Sequence, residues 1–343
     1  MIQPLVCQVS GYHIHDVSLV ASLGIFIGLL PLVGFAVTRI KSVSAARLIA
    51  WGMTISSTGL VERLSTAEPS GTRMVLVIVA LLFSMKLVVA IESRSRGDKP
   101  LPFWNWIAFT MFWFGMRTRL FAEFGNPLKD DWQTYIVRGF WRIGLGAALF
   151  GAAYLLSFNS TPSITNLTTW SMTLCLMLGL SFLVHFGLFN LLVGVWRRLG
   201  LNCTPLFRAP ILSQNLTEFW GKRWNLAFSE MTALAVFRPL KTVFGESSLA
   251  KPIATSVAFL FSGLLHELAI SVPVQSGYGL PMLYFLMHGF AMSIENWLDR
   301  AGVKILANQW VGRIWTWAWI LIPLPLLFHR SFLEGCVWPL VFR

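Results

Sequence analysis

Charge is scarce in this chain. Asp, Glu, Lys and Arg make up only 12% of its 343 residues, against 55% hydrophobic residues and a mean hydropathy of +0.65. A soluble domain carries about twice that charged fraction, so a water-soluble globular fold is excluded. Acidic residues are scarcer still, 15 against 27 Lys and Arg, for a net charge of +12. The basic residues fall between apolar runs rather than in one block, which argues against a nucleic-acid-binding arm and for loops that face anionic lipid. Cysteine is scarce too. Cys7, Cys175, Cys203 and Cys336 are far apart and form no CxxC or Cys/His spacing, so neither a disulfide framework nor a metal site is expected. The first seventeen residues hold no Lys or Arg, so no cleavable leader is expected and Val17–Val37 reads as a first span. No repeat or low-complexity linker interrupts the chain, so 1–343 reads as one integral membrane unit.

What is present is a series of apolar runs, near 17–37, 48–61, 74–91, 140–158, 170–195, 253–272, 281–297 and 314–328. The 48–61 run is short and weak, and the aromatic stretch 103–116 is either a span or a re-entrant helix. The expected fold is all-α: a polytopic bundle of about eight or nine spans enclosing a catalytic chamber. Arg39, Lys41 and Arg47 follow the first run, the segment 197–251 holds eight Lys or Arg against three Glu, and Arg300, Lys304 and Arg313 follow a later run. The stretches 157–169 and 273–280 hold no charge. The positive-inside rule places the basic segments in the cytoplasm and the uncharged ones, with Asn166-Leu167-Thr168 as a glycosylation acceptor in a eukaryote, on the far side. Segment 197–251 is too charged to span and too apolar for a disordered loop, so interfacial amphipathic helices are expected there.

Two stretches carry chemistry. In Phe219-Trp220-Gly221-Lys222-Arg223-Trp224-Asn225, a helix over 217–228 puts Trp220, Trp224 and Phe228 on one face, with Gly221 opening a slot beside Asn225. An aromatic belt with snorkelling cations is the plainer alternative, but a belt gains nothing from a carboxamide. In Ser262-Gly263-Leu264-Leu265-His266-Glu267, a His and a Glu sit inside an apolar run. Ionisable groups at that depth are costly and mark functional sites, and a neutral imidazole suits general-base work. Packing of a satisfied histidine is the alternative, and it is the better account of His185 and of His288, as a helix-end cap is of Glu295-Asn296.

The two stretches together, forty-one positions apart from Asn225 to His266, resemble the membrane-bound O-acyltransferase superfamily, whose members pair an aromatic-rich FWxxWN-type motif with an intramembrane His in an SGxxHE-type motif. Within it, Trp113-Phe114-Gly115-Met116-Arg117 and the ending from Phe328-His329-Arg330-Ser331-Phe332 to Trp338-Pro339-Leu340 are similar to the wax synthase branch, with Phe114 replacing a Pro. The resemblance covers roughly 103–343. It implies acyl transfer from acyl-CoA to a lipophilic alcohol, with His266 as base and Asn225 as oxyanion or thioester ligand. Trp220, Lys222, Arg223, Trp224 and Glu267 would bind substrate, Lys222 and Arg223 through CoA phosphates. Acyl-CoA is then a co-substrate, with no cofactor and no metal. The partners are acyl-CoA, the alcohol and membrane lipid, with no nucleic acid and no obligate protein partner. The location is the endoplasmic reticulum membrane in a eukaryote or the inner or plasma membrane in a bacterium. A sterol, terpenoid or other secondary-metabolite hydroxyl is the alternative acceptor. A transporter would show two related halves with broken helices, and no such repeat is present.

Overall fold

The computed structural model describes residues 11–122, 131–158, 166–245, 247, 250–303 and 305–342. Cys7, Lys304 and part of the uncharged 157–169 stretch lie outside them. The described residues are helical or irregular, with no strand. In chain order the principal helices are α1 (Val17–Val37), α2 (Val43–Leu64), α3 (Ser70–Arg94), α4 (Phe103–Met111), α5 (Thr118–Ala122), α6 (Trp132–Ser157), α7 (Leu167–Arg198), α8 (Leu226–Thr232), α9 (Arg238–Phe244), α10 (Ala250–Val274), α11 (Leu280–Arg300) and α12 (Gln309–Leu327). Six of them, α1, α3, α6, α7, α10 and α12, are long and apolar enough to cross a bilayer. The polytopic helical character is thus shown; the count of eight or nine spans is not.

Helix α2 is longer than the weak 48–61 run. Two of its three charges, one towards each end, pair with α3: Arg47 with Glu92 at 2.5 Å and Glu62 with Arg73 at 2.9 Å. Pairing offsets part of the desolvation that makes such residues read as loop.

Helix α4 settles the open choice at 103–116. Nine residues reach only about 14 Å at 1.5 Å per residue, too short to span. The chain then turns back, and Lys86 of α3 holds the turn. Its fully buried ammonium donates to the carbonyls of Phe109 (2.9 Å), Trp113 (2.7 Å) and Gly115 (2.6 Å), which uses all three of its N–H groups. A lysine inside an apolar run was a signal the sequence reading passed over.

Segment 197–251 is only partly helical. Residues 199–209 are irregular, a short helical stretch covers 216–223, and α8 continues through a wide turn at Ala233–Phe237 into α9. Leu216, Phe219, Leu226, Ala227, Met231 and Ala235 are buried, so the middle of the segment enters the bundle rather than lying flat on it. A flat interfacial helix buries a single stripe; this segment packs on α3, α10 and α11 at once.

Candidate active site

The expected continuous helix over 217–228 is not present. Trp224 is extended (φ −106°, ψ 127°) and Asn225 is left-handed (φ 41°, ψ 63°). Asn tolerates that conformation better than most residues. Its Oδ1 accepts the Phe228 N–H at 3.2 Å and caps α8. The carboxamide therefore has a local structural duty, and its Nδ2 group remains as a donor. The break also separates the two tryptophans. Trp224 stacks on Phe219 (5.6 Å) and meets Phe207 edge-on (4.9 Å). Trp220 turns instead toward α10 and α11, against Phe259, Phe285 and His288.

The break is braced from outside. Leu226 N–H donates to Leu206 O at 2.9 Å, and Arg208 N–H to Arg223 O at 2.8 Å. Glu295 of α11 accepts from Leu216 N–H (2.7 Å), Thr217 Oγ1 (3.1 Å) and Trp315 Nε1 (3.0 Å). Glu295 thus caps the start of the Asn225 segment, not the end of its own helix.

His266 lies where α10 loosens into a wide turn at Glu267–Ser271. Its Nδ1 is 2.7 Å from Ser262 O. A carbonyl only accepts, so Nδ1 carries the proton and Nε2 holds a lone pair. The expected contact with Ser262 runs through its carbonyl; the Ser262 hydroxyl donates to Ala258 O at 2.8 Å. The imidazole is flanked by Phe285 (4.2 Å) and Phe228 (5.2 Å). Phe228 thus joins the two stretches, with its N–H on Asn225 and its ring on His266. His288 is fully buried, with Nδ1 donating to Tyr284 O at 2.8 Å, and His185 stacks on Phe207 at 4.5 Å. Both are packed among aromatic rings.

The two cations part company. Arg223 is bonded to Glu218 at 2.7 Å and reaches the Arg208 and Ala209 carbonyls at 3.3 Å. Its donors hold the loop, which leaves fewer of them for the expected phosphate contact. Burial pushes the Glu218 carboxyl up, but the Gln214 N–H and the Arg223 and Lys222 charges outweigh it and hold it below its ordinary value. Lys222 is exposed and lines a cleft of about 810 Å³ with Arg117, Arg119, Arg208, Glu230 and Arg238. Arg117 pairs with Glu230 at 2.7 Å. A neighbouring hollow of about 450 Å³ adds Arg96 and Lys241. Neither space is lined by Asn225 or His266. Glu267 is buried, and its Oε1 accepts from Gly279 N–H (2.9 Å) and Met282 N–H (3.0 Å), capping α11. Among the described residues no group of three His, Cys, Asp or Glu could hold a metal ion.

Residues 203–287, which include both Asn225 and His266, match the membrane bound O-acyl transferase family. A protein of Arabidopsis thaliana named probable long-chain-alcohol O-fatty-acyltransferase 6 is 29% identical over 201 residues, 54% of this chain and 56% of that one. The long-chain-alcohol O-fatty-acyltransferase of Simmondsia chinensis is 32% identical over 107 residues, 30% of each chain. The acyl-CoA–sterol O-acyltransferase 1 of Arabidopsis thaliana is 25% identical over 140 residues, 38% of this chain and 39% of that one. The chain spans about half the length of the curated relatives it matches. Its similarity is therefore to the membrane-bound O-acyltransferases, and within them to the wax synthase-like branch.

Proposed function

We propose that the chain transfers an acyl group from acyl-CoA to a lipophilic alcohol. The observation that carries this reading is the pairing of Asn225 and His266 through Phe228, with His266 Nε2 and Asn225 Nδ2 both left uncommitted among the described residues. His266 Nε2 takes the alcohol proton as the oxygen attacks the thioester carbonyl. Asn225 Nδ2 donates to the oxyanion as it forms. Collapse breaks the C–S bond, and the imidazolium returns its proton to the leaving thiolate, giving ester and CoA.

The cationic cleft beside Lys222 suits the phosphates of CoA. Arg117, Arg119, Arg208 and Arg238 supply fixed positive charge there, opposed among the described lining residues by Asp98 and Glu230. The cleft lies at the end of α3 where Arg94 holds the Thr38 and Lys41 carbonyls, so the basic loops gather at one end of the bundle. The positive-inside rule makes that end cytoplasmic, the side on which acyl-CoA is available. The protein then sits in the membrane with its donor cleft toward the cytoplasm.

A long-chain alcohol is the acceptor favoured by the relatives from Arabidopsis thaliana and Simmondsia chinensis. A sterol is the second reading, favoured by the sterol O-acyltransferase relative. Both are tested by incubating purified protein in nanodiscs with acyl-CoA and a panel of alcohols and sterols, with product mass measured. His266→Ala should lose about a hundred-fold to ten-thousand-fold in kcat while its melting temperature stays near that of the wild type. Full activity in that variant would sink the mechanism.

A further inference from the structure

Among the described residues, two buried polar atoms near the opposite end of the bundle have no partner: Glu267 Oε2 and His329 Nε2. Glu267 is 8% exposed and His329 is 6% exposed. Both flank the turn between α10 and α11. Glu267 Oε1 holds Gly279 and Met282, and the His329 ring lies flat against Gly277, at a distance a Cβ there would violate. Gly277 has φ +73°, so glycine suits both the turn and the approach.

The hydrogen-bonding character of each atom is determined by its neighbours. His329 Nδ1 accepts the Phe332 N–H at 3.4 Å, capping the helical turn that follows, so the proton of the neutral ring is on Nε2. Nε2 is a donor. Burial holds the ring below the usual histidine range, against the pull of the Glu267 charge, which favours this neutral form. Glu267 Oε2 is an acceptor. Capping α11 needs one carboxyl oxygen, and a glutamine would serve as well; the second oxygen and its charge are unspent. A buried acceptor left bare costs about 1 to 3 kcal/mol, more when charged. A hydroxyl group is the complement to this pair, since it accepts from Nε2–H and donates to Oε2.

We propose that Glu267 and His329 bind the hydroxyl of the acceptor alcohol; this rests on the acyltransferase reading. The site lies at the Arg73 end of α3, where Arg73 donates to Pro273 O at 2.9 Å, whereas the cationic cleft lies at the Ser93 end of the same 25-residue helix. Donor and acceptor thus approach from opposite ends of the bundle. A long-chain alcohol in a bilayer keeps its hydroxyl at the interface and its chain in the hydrocarbon, which matches a polar pair at the end of a span. Along α11, from Met282 beside Glu267 to Phe285 beside His266, is about 4.5 Å of helix. The hydroxyl then has a short step inward to the base.

The test is equilibrium binding of radiolabelled 1-dodecanol to the full chain in nanodiscs, with 1-dodecanol or 1-methoxydodecane as competitor. The ether keeps the acceptor oxygen and lacks the donor. Wild type should prefer the alcohol about tenfold or more. Glu267→Gln keeps the α11 cap and replaces the acceptor; His329→Asn keeps its own cap and loses the Nε2 donor. Each should weaken dodecanol binding about tenfold with unchanged acyl-CoA affinity. His329→Gln, which returns an N–H at the Nε2 position, should recover most of that loss. Equal competition by the ether, or wild-type dodecanol affinity in both variants, would overturn the site and leave a buried water as its occupant. The assay needs no acyl-CoA, so a chain that binds dodecanol in this way yet transfers no acyl group refutes the acyltransferase reading alone.

Discussion

Phe228 lies with its ring 5.2 Å from the imidazole of His266, while its N–H is held by the Asn225 carboxamide three residues earlier. The two candidate catalytic residues are therefore coupled through one residue, by its amide on one side and its ring on the other. Asn225 both shapes the loop and offers a donor, and substitutions can separate these duties.

Asn225→Asp retains an oxygen to cap α8 and tolerates the left-handed backbone, but lacks the Nδ2 donor. It should melt near the wild type and lose about a hundred-fold to a thousand-fold in kcat. Asn225→Ala loses the cap, typically about 1 kcal/mol, and adds left-handed strain of about 1 to 2 kcal/mol. Its melting temperature should fall by several degrees. Near-normal kcat in the Asp variant would leave Asn225 as a cap only.

Lys222 and Arg223 should behave differently although they are adjacent. Lys222→Ala removes a cation from the cleft wall, so KM for acyl-CoA should rise several-fold with kcat and melting temperature unchanged. Arg223→Ala frees Glu218 and two carbonyls and should lower the melting temperature with little change in that KM. Kinetics and thermal melts of the two variants decide the point; the reverse pattern would return Arg223 to the substrate.

Glu230 competes for Arg117 inside the cleft. Burial raises its carboxyl above the usual range, and Arg117 pulls it back only in part. Glu230→Gln should leave Arg117 to the incoming phosphates and lower KM for acyl-CoA a few-fold, with a steeper dependence on salt. An unchanged KM and salt slope would mean that the pair lies outside the donor path.

Glu218 gives stability a pH dependence. Its folded value is depressed, so its contribution is present above the unfolded value of about 4.3 and is lost as pH falls through the folded one. Wild type should lose thermal stability on acidification below about pH 4.5, and Arg223→Ala should lose less over the same window. Identical slopes in melts taken from pH 6 to pH 3 would remove the ion pair from the account.

Lys86→Met is the sharpest test of the fold. It strands three buried carbonyls at about 1 to 3 kcal/mol each, so the variant should fail to accumulate or should melt far below wild type. Lys86→Arg, with more donors but a planar head too wide for the same pocket, should fall between. A Met variant as stable as wild type would show that the re-entrant turn stands without its lysine.

Hydropathy made the helical membrane character and the first span at Val17–Val37 legible in the amino-acid order alone, and the resemblance to an acyltransferase family singled out Asn225 and His266. These depend on burial preference and on residue types a few positions apart. What the spacing could not show is how partners far apart in the chain meet. Period counting made 217–228 one helix, yet the left-handed Asn225 divides it, because a cap and two bonds from 206–208 stabilise the break. Adjacent cations looked alike, yet folding gave Arg223 to Glu218 and left Lys222 in the cleft. Lys86 looked like one charge in a span, yet it meets three carbonyls 23 to 29 positions away. His329 looked like part of an ending, yet it lies on Gly277 beside Glu267. In each case a buried polar group must find a partner, and in a low-dielectric bundle that requirement is met across helices rather than along one.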